Sequence, residues 1–593
     1  MTDANALFAA AEQALAAGRI DDARKALATV LRAVGEHPAV LHLAALVEKK
    51  AGAGDAAKQF FRRALKVAPQ DPAIHGNHAN LLGDLGESDA ALAAYERALA
   101  IAPGFIDARY NHALLLHRLH RSHEALADLE RVTRESPLLA KGHAAQGQIL
   151  RSIERIDEAA AAYDRALAIE PMRPVARHAR ARIAMERGES DAAERYRVAL
   201  TAQPDDIELI LGLAEAMAAV GDPGAVPYLT RAVRTQPSWA EGHARLAAMR
   251  AEAGEGADFA EHFDAAITAN PGDFALRQAH WRALAAAGDG TAARAAIDAT
   301  IAALGRDDVI TLIEAANLAS ETGDLAAAER TLSGLPQDSA VLAARGRNSL
   351  RAGDAQAAAA LLERAIALQP GLIAGWAHLS LAWRLLGDDR HQWLCELPGL
   401  VAAIDLGLDQ EWIEQLGDTL RAIHRTRAHP LGQSLRGGTQ TQGRLFWRTE
   451  PALRALHARL AQAVDTHRRA LPPHDAAHPL LRHRDTAMRI TGSWSVQLAR
   501  SGFHVQHIHP EGLLSSALYV ALPDRTSDAD PQAGWLELGR PPAELGLDLA
   551  PITTIEPRVG RLALFPSYLF HGTRPFSNGT RLTVAFDVTT AND

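Results

Sequence analysis

Cysteine is nearly absent: Cys395 is the only one in 593 residues. A single thiol closes no internal disulfide and builds no Cys-rich zinc module, and it is compatible with a reducing compartment. Aromatic residues are also scarce, at 5%. No uninterrupted apolar run reaches the roughly 18 residues of a bilayer span. A basic excess is missing too, since 62 Lys+Arg against 71 Asp+Glu leave a formal charge of −9; nucleic-acid binders normally carry a basic face. The opening Met1-Thr2-Asp3-Ala4-Asn5 precedes any Lys or Arg until Arg19, so it lacks the basic start and apolar run of a signal peptide. The expectation is a soluble, cytoplasmic protein with neither nucleic acid nor membrane as partner. Apolar content is ample, at 48%, which excludes wholesale disorder. The length sets a prior of about four domain-sized units.

Through the first 390 residues the chain is alanine-rich and regularly punctuated. Pro69, Pro103, Pro137 and Pro171 are 34 residues apart, Pro204, Pro237 and Pro271 follow at steps of 33 or 34, and Pro336 and Pro370 resume the 34-residue step. Gly18, Gly52 and Gly86 keep a parallel beat, continued by Gly188, Gly221, Gly254, Gly288, Gly323, Gly353 and Gly387. Such a period indicates a repeat architecture. Ala57, Phe61, Ala64 and Pro69 recur as Ala91, Tyr95, Ala98 and Pro103, and again as Ala159, Tyr163, Ala166 and Pro171. The spacing puts the first three on one helix face that ends before the proline. Small alanines allow a neighbouring helix close approach, and the mid-period glycine suits a turn needing positive φ. The pattern resembles the tetratricopeptide repeat, with ten to eleven repeats between residue 4 and about residue 388 by period arithmetic. An α-solenoid with a peptide- or protein-binding concave face is the expectation; a spacer or dimerising role is its bland counterpart. The histidines of the array (His75, His78, His112, His117, His120 and His143) read as surface or groove residues rather than ligands.

After residue 390 the texture changes. No Trp precedes Trp239, yet Trp393, Trp412, Trp447, Trp494 and Trp535 all lie beyond this point. Residues 409–425 and 450–470 still read as helices, with Leu453, Leu456, Leu460 and Val464 at helical spacing. Gly437-Gly438-Thr439-Gln440-Thr441 reads as a loop without the Lys-Ser/Thr ending of a phosphate loop. From about residue 486 short apolar runs alternate with turn residues: 488–490, 494–498, 517–522, 534–538, 561–565 and 581–586. That spacing predicts an all-β barrel or sandwich, with its core at about 484–593.

Three features of the β region carry chemistry. In Phe503-His504-Val505-Gln506-His507-Ile508-His509-Pro510-Glu511-Gly512, a strand would point His507 and His509 to one face and His504 to the other. His571 ends a later strand, and Arg581 follows it by ten residues, with Thr583 two further on. Two imidazoles on one face can chelate a metal, and an Arg beside a hydroxyl suits a carboxylate. The bland reading of the pair is a surface pair. Glu537 and Arg540 flank a turn, Arg574 follows His571 closely, and Arg489, Ser495 and Gln497 lie on strands leading to the region; none has a pattern that assigns a role.

Here the chain resembles the iron(II)/2-oxoglutarate-dependent oxygenases, over about residues 400–593. Their motif is His-x-Asp/Glu, a distal His, then Arg-x-Ser/Thr. The resemblance implies His507 and His571 as Fe(II) ligands, Arg581 and Thr583 at the far carboxylate of the cosubstrate 2-oxoglutarate, and Tyr519 reaching the same group. The family's carboxylate position is held by His509. A set of His507, His509 and His571 is the first expectation, with Glu511 as the alternative third ligand if Pro510 bends the strand. The aspartyl/asparaginyl β-hydroxylases also join helical repeats to this fold and work with two His and no carboxylate. The implied architecture is a tetratricopeptide solenoid over 1–390 and a double-stranded β-helix (jelly-roll) oxygenase-like domain with flanking helices over 391–593. The implied activity is a dioxygenase using Fe(II), 2-oxoglutarate and O2 to hydroxylate a peptide or protein held in the repeat groove. A repeat-based scaffold with a degenerate domain, and a small-molecule hydroxylase, are the competing readings.

Overall fold

The computed structural model describes residues 4–523 and 530–591; Met1–Asp3, part of the N-terminal reading, lie outside them. Eleven helix pairs run from Ala4–Ala16 with Ile20–Val34 to Ser339–Arg351 with Ala355–Leu368, followed by helix Ile373–Leu386. Several helices start on an aspartate whose carboxylate accepts from the first-turn amides: Asp71, Asp206, Asp273, Asp308 and Asp338. Such caps contribute about 1 kcal/mol each. The recurring Ala57, Phe61 and Ala64, and their counterparts one and three periods on, are all buried. No helix among the described residues is long and apolar enough to cross a membrane.

The repeat imposes its backbone even where its sequence slips. Gly86 and Gly188 sit three periods apart with φ of 79° and 68°; His120 and Glu154 occupy the two positions between, at φ of 60° and 62°. These are the left-handed turns between paired helices, a conformation costly for a residue with a Cβ. The array's histidines are not all superficial. His143 is buried, and its Nε2 lies 2.9 Å from the Pro137 carbonyl. That carbonyl, in the turn just past the preceding helix, gives the ring a partner inside the stack.

Contacts divide the chain into two compact units, Met1–Ala184 with Glu194–Pro204, and Met185–Ala193 with Asp205–Asp593. The change of texture at 390 therefore falls inside the second unit. In the first unit, Leu41, Ala45, Ala57, Phe61, Ala64, Ile74 and Leu81 form one interhelical cluster.

In the second unit the repeats lead into nine strands: β1 (Ala402–Asp405), β2 (Leu435–Gln440), β3 (Met488–His504), β4 (Leu514–Ala521), β5 (Leu536–Leu538), β6 (Thr553–Ile555), β7 (Arg561–Pro566), β8 (His571–Thr573) and β9 (Arg581–Thr590). They form a curled antiparallel pair of sheets, one ordered β1-β7-β4-β9-β3-β2 and the other β6-β5-β8. Leu536, Leu538 and Ile555 of the small sheet pack on Ala563 and Phe565 of the large one. Leu453, Leu456 and Leu460 of helix Pro451–Ala470 share a core with Leu518, Val584 and Phe586. Two details depart from the sequence reading. The 437–441 segment is not a loop, because β2 pairs with β3 from Leu435↔His504 to Gln440↔Val496 around a bulge. The expected strand through 503–512 stops at His504. In both cases the long β3 decides the outcome, supplying partners on either side of the bulged Gly437 and leaving the segment after it without a ladder.

Repeats and sheets of the second unit are joined by backbone groups. Gly432 N donates to Ala286 O at 2.9 Å, and Arg427 N and Ala428 N both donate to Glu252 O at 3.0 Å. Arg384 Nη1 donates to Gly539 O at 3.1 Å.

Replacing His120 by Gly should relieve a left-handed residue on an exposed turn. The expected gain in the first unit is about 0.5–1 kcal/mol, read as a higher urea midpoint; an unchanged or lower midpoint would refute the assignment of strain.

Candidate metal centre

After β3 the chain turns on Ser434, whose Oγ lies 3.0 Å from His504 Nδ1 and 3.1 Å from His507 Nε2. His507 then makes a single antiparallel bridge with His571 at the start of β8. His507 N donates to His571 O at 3.0 Å and His571 N to His507 O at 2.9 Å. A Cβ at Gly572 would fall 2.6 Å from Gln506 Nε2 and 2.8 Å from His504 O, so glycine is what lets the turn lie against β8. His507 and His509 therefore converge through a turn and a bridge, not through strand alternation. His504, expected on the opposite face, stands beside them, its ring stacked on His507 at 5.9 Å.

Each of the three imidazoles is oriented through Nδ1. His507 Nδ1 is 2.8 Å from Val505 O, His571 Nδ1 is 3.0 Å from Leu569 O, and His509 Nδ1 is 2.5 Å from Asp587 Oδ1. Carbonyl and carboxylate oxygens accept, so each Nδ1 carries the proton and each Nε2 keeps a lone pair. The ligating atoms of His507, His509 and His571 lie within 4.8 Å of one another, the one such group of His, Cys, Asp or Glu side chains among the described residues. His507 Nε2 and His509 Nε2 are 3.1 Å apart. Two nitrogens each ~2.1 Å from one ion and at right angles would be about 3.0 Å apart. The donor set and spacing thus fit a shared cation. Burial, reinforced by His509, pushes His507 down to about 3. Burial and then His507 also hold His571 and His504 well below the ordinary range. Burial therefore favours the neutral form of these rings, the form that ligates.

Glu511 is exposed on the following turn and is not in the group. The carboxylate that does reach the histidines is Asp587, which the sequence reading missed. Its signal was available: residues 581, 583 and 587 share one face of β9 by their even spacing.

Arg581 and Thr583 line the same cavity, of about 620 Å³, as His504, His507, His509 and His571. Arg581 is buried, its Nη1 donating to Gly534 O at 2.8 Å, and its guanidinium carbon stands 4.8 Å from the centre of the Tyr519 ring. Tyr519 pairs with Thr583 across β4 and β9. Its hydroxyl is buried, with no hydrogen-bond partner within bonding geometry among the described residues. Burial raises its pKa, against the pull of Arg581. An orphaned hydroxyl beside a guanidinium and a threonine is a donor set suited to a carboxylate. Glu537 plays a different part: buried, it accepts from Arg540 Nε and Arg574 Nε, each at 2.7 Å. None of these three lines the cavity.

One wall comes from the repeats. Ala286, Glu321, Arg347, Arg351 and His378 face the same cavity as the histidines, and the His378 ring meets Phe570 edge-on at 5.4 Å. No local pattern in the array announces these residues, because only docking on the sheets gives them a common space.

The family model described as "Putative 2OG-Fe(II) oxygenase" matches residues 492–587. Tetratricopeptide-repeat models match residues 14–81 and, in three overlapping spans, 77–207. The chain therefore carries tetratricopeptide repeats and an oxygenase-type domain together. No curated protein matches the chain. Among solved structures, a tetratricopeptide repeat protein from Parabacteroides merdae is 18% identical with a TM-score of 0.32, covering 39% of this chain and 92% of its own. The pilus biogenesis factor PilW is 19% identical with a TM-score of 0.33, covering 35% and 97%. YrrB, a repeat protein with an unusual peptide-binding site, is 21% identical with a TM-score of 0.29, covering 31% and 95%.

Mn(II) binding by full-length variants should separate the ligand sets. His509→Ala is expected to lose most of the affinity and Glu511→Ala to keep it. Asp587→Asn should weaken binding by about tenfold or more, the usual cost of removing a group that orients a ligand. Loss in Glu511→Ala with retention in His509→Ala would replace the three-histidine set by one containing the glutamate.

Proposed function

We propose that the chain is an Fe(II)- and 2-oxoglutarate-dependent dioxygenase that hydroxylates a side chain of a peptide or protein recruited by the repeats. Residues 391–593 are its oxygenase-like part and residues 1–390 its solenoid. The observation carrying this reading is the cavity itself: three imidazole Nε2 atoms able to share one ion, with Arg581 and Thr583 on the same wall system. The match of residues 492–587 to an oxygenase family supports it.

In this reading His507, His509 and His571 hold Fe(II), and Arg581, Thr583 and Tyr519 receive the far carboxylate of 2-oxoglutarate. Bound together, the metal and cosubstrate supply the O2 chemistry that turns a C–H bond into C–OH, with succinate and CO2 as co-products. The chain's own part is positioning. Val505 O, Leu569 O and Asp587 keep protons on the outward nitrogens, so that the inward lone pairs stay available. Trp494 packs on His509 and Phe565 on His571, at 5.5 and 4.7 Å between ring centres, and their apolar faces exclude water from that side. The guanidinium of Arg581 fixes direction, since its planar fork meets a carboxylate in one orientation. A cysteine-poor chain suits the reducing cytoplasm, where we place it.

The test is anaerobic titration of the full chain with Fe(II) and 2-oxoglutarate, then succinate measurement on adding O2. Arg581→Ala should weaken 2-oxoglutarate binding by about 2–4 kcal/mol, and Arg581→Lys should rescue only part. Wild-type protein that binds neither metal nor cosubstrate would instead favour a scaffold whose domain became degenerate when His509 took the carboxylate position.

A further inference from the structure

The repeat-derived wall of the cavity carries an uneven charge. Arg347 and Arg351 lie four residues apart on helix Ser339–Arg351, hence on one face. Arg351 is fully engaged: Nη2 lies 3.8 Å from Glu321 Oε1, Nη1 donates to Ser320 Oγ at 3.1 Å, and Nε donates to Glu544 O at 3.2 Å. Arg347 is not. Its Nη2 donates to the neutral Asn317 amide oxygen at 2.9 Å, and among the described residues no carboxylate stands within ion-pair distance of it. His378, two helices further on, offers no compensating charge. Burial, with Arg347 adding to it, pushes that ring down to about 3. Glu321 and Glu544, both lining the cavity, match the two arginines in number, but both act on Arg351 and only Glu321 acts on Arg347.

A half-buried guanidinium that faces the cavity without an ion pair of its own is poorly solvated. Burial, then its neighbour Arg351, lower the Arg347 pKa, against the pull of Glu321. An entering anion would offset both costs, and a guanidinium with most of its donors uncommitted can grip a carboxylate with two parallel bonds. The cosubstrate does not need this group, because Arg581 on β9 already supplies a cation on the sheet side. The two cations thus stand on different elements, one on the sheets and one on the repeats.

Resting on the peptide-hydroxylase reading above, we infer that Arg347 is a specificity-determining residue that anchors an acidic side chain of the peptide substrate, so that the repeats select the substrate inside the cavity as well as recruiting it. The acidic residue is the anchor; the hydroxylated atom belongs to whatever neighbour the anchor brings to the histidines.

The probe is a pair of labelled random heptapeptide pools, one with Asp fixed at the centre and the other with Asn, equilibrated with immobilised full-length protein free of metal. Wild type should retain the Asp pool over the Asn pool by about tenfold, the factor that one charge-assisted pair of roughly 1.4 kcal/mol gives. Arg347→Gln should bring the ratio close to one, and Arg347→Lys should keep part of it. Thermal melts of each variant separate loss of recognition from loss of fold. The 2-oxoglutarate affinity of Arg347→Gln should equal that of wild type. Retention of both pools with no acidic preference, a preference surviving in Arg347→Gln, or a fall in 2-oxoglutarate affinity in that variant would each overturn the assignment while leaving the peptide reading standing. Retention of neither pool by wild type would overturn the peptide reading and the assignment with it.

Discussion

Two backbone hydrogen bonds between His507 and His571 hold the centre of the second unit together. They join a turn that has left the large sheet to the first residue of a strand in the small one. Without them the 505–512 segment would keep only single bonds, such as Val505 N to Ser434 O and His509 N to Ser567 O, and the turn would lose its direct tie to the small sheet. The side-chain bonds to Val505 O, Leu569 O and Asp587 then act on rings already brought together. The order of dependence is backbone first, ring orientation second, and vacant lone pairs last.

The second dependence is on the repeats. Backbone donors of the 427–432 segment end on carbonyls of two repeat helices, and Arg384 and Arg351 end on carbonyls of the sheet region. Each carbonyl so used is one that a helix end or loop leaves unsatisfied. The docking therefore answers a hydrogen-bonding need of both partners. It also converts a sandwich that would be open on one side into a cavity with a charged wall. The solenoid is a structural part of the site here, a role distinct from that of a detached recruiting arm.

Much of this was legible in the sequence because it is local. The 34-residue beat gives the helix pairs, and the glycine positions give the left-handed turns. Short alternating runs give most strands, and His507, His509, His571, Arg581 and Thr583 are found around one cavity. What escaped the reading is non-local. Gly437-Gly438 reads as a loop until a seventeen-residue neighbour, β3, offers it a ladder. His504 reads as facing away until the strand ends beneath it. Asp587 has no motif of its own, and its partner His509 lies 78 residues earlier. Arg347 sits in a region whose period says nothing of which residues another part of the chain will cover.

The strand order has a consequence for how the chain is made. β9 is the last of the nine strands in sequence, yet it lies between β4 and β3 in the interior of the large sheet, and it carries Arg581, Thr583 and Asp587. During synthesis the repeats emerge early and can stack at once, since their contacts are between neighbours. The β region must wait. Until residues 581–590 leave the ribosome, β3 and β4 each present an unpaired edge, and an unpaired edge is a template for wrong partners. A ribosome that pauses before residues 581–590 emerge would hold the molecule in this open state, with finished repeats and a split sheet. Chaperone demand should therefore concentrate in the interval between the emergence of β4 and that of β9.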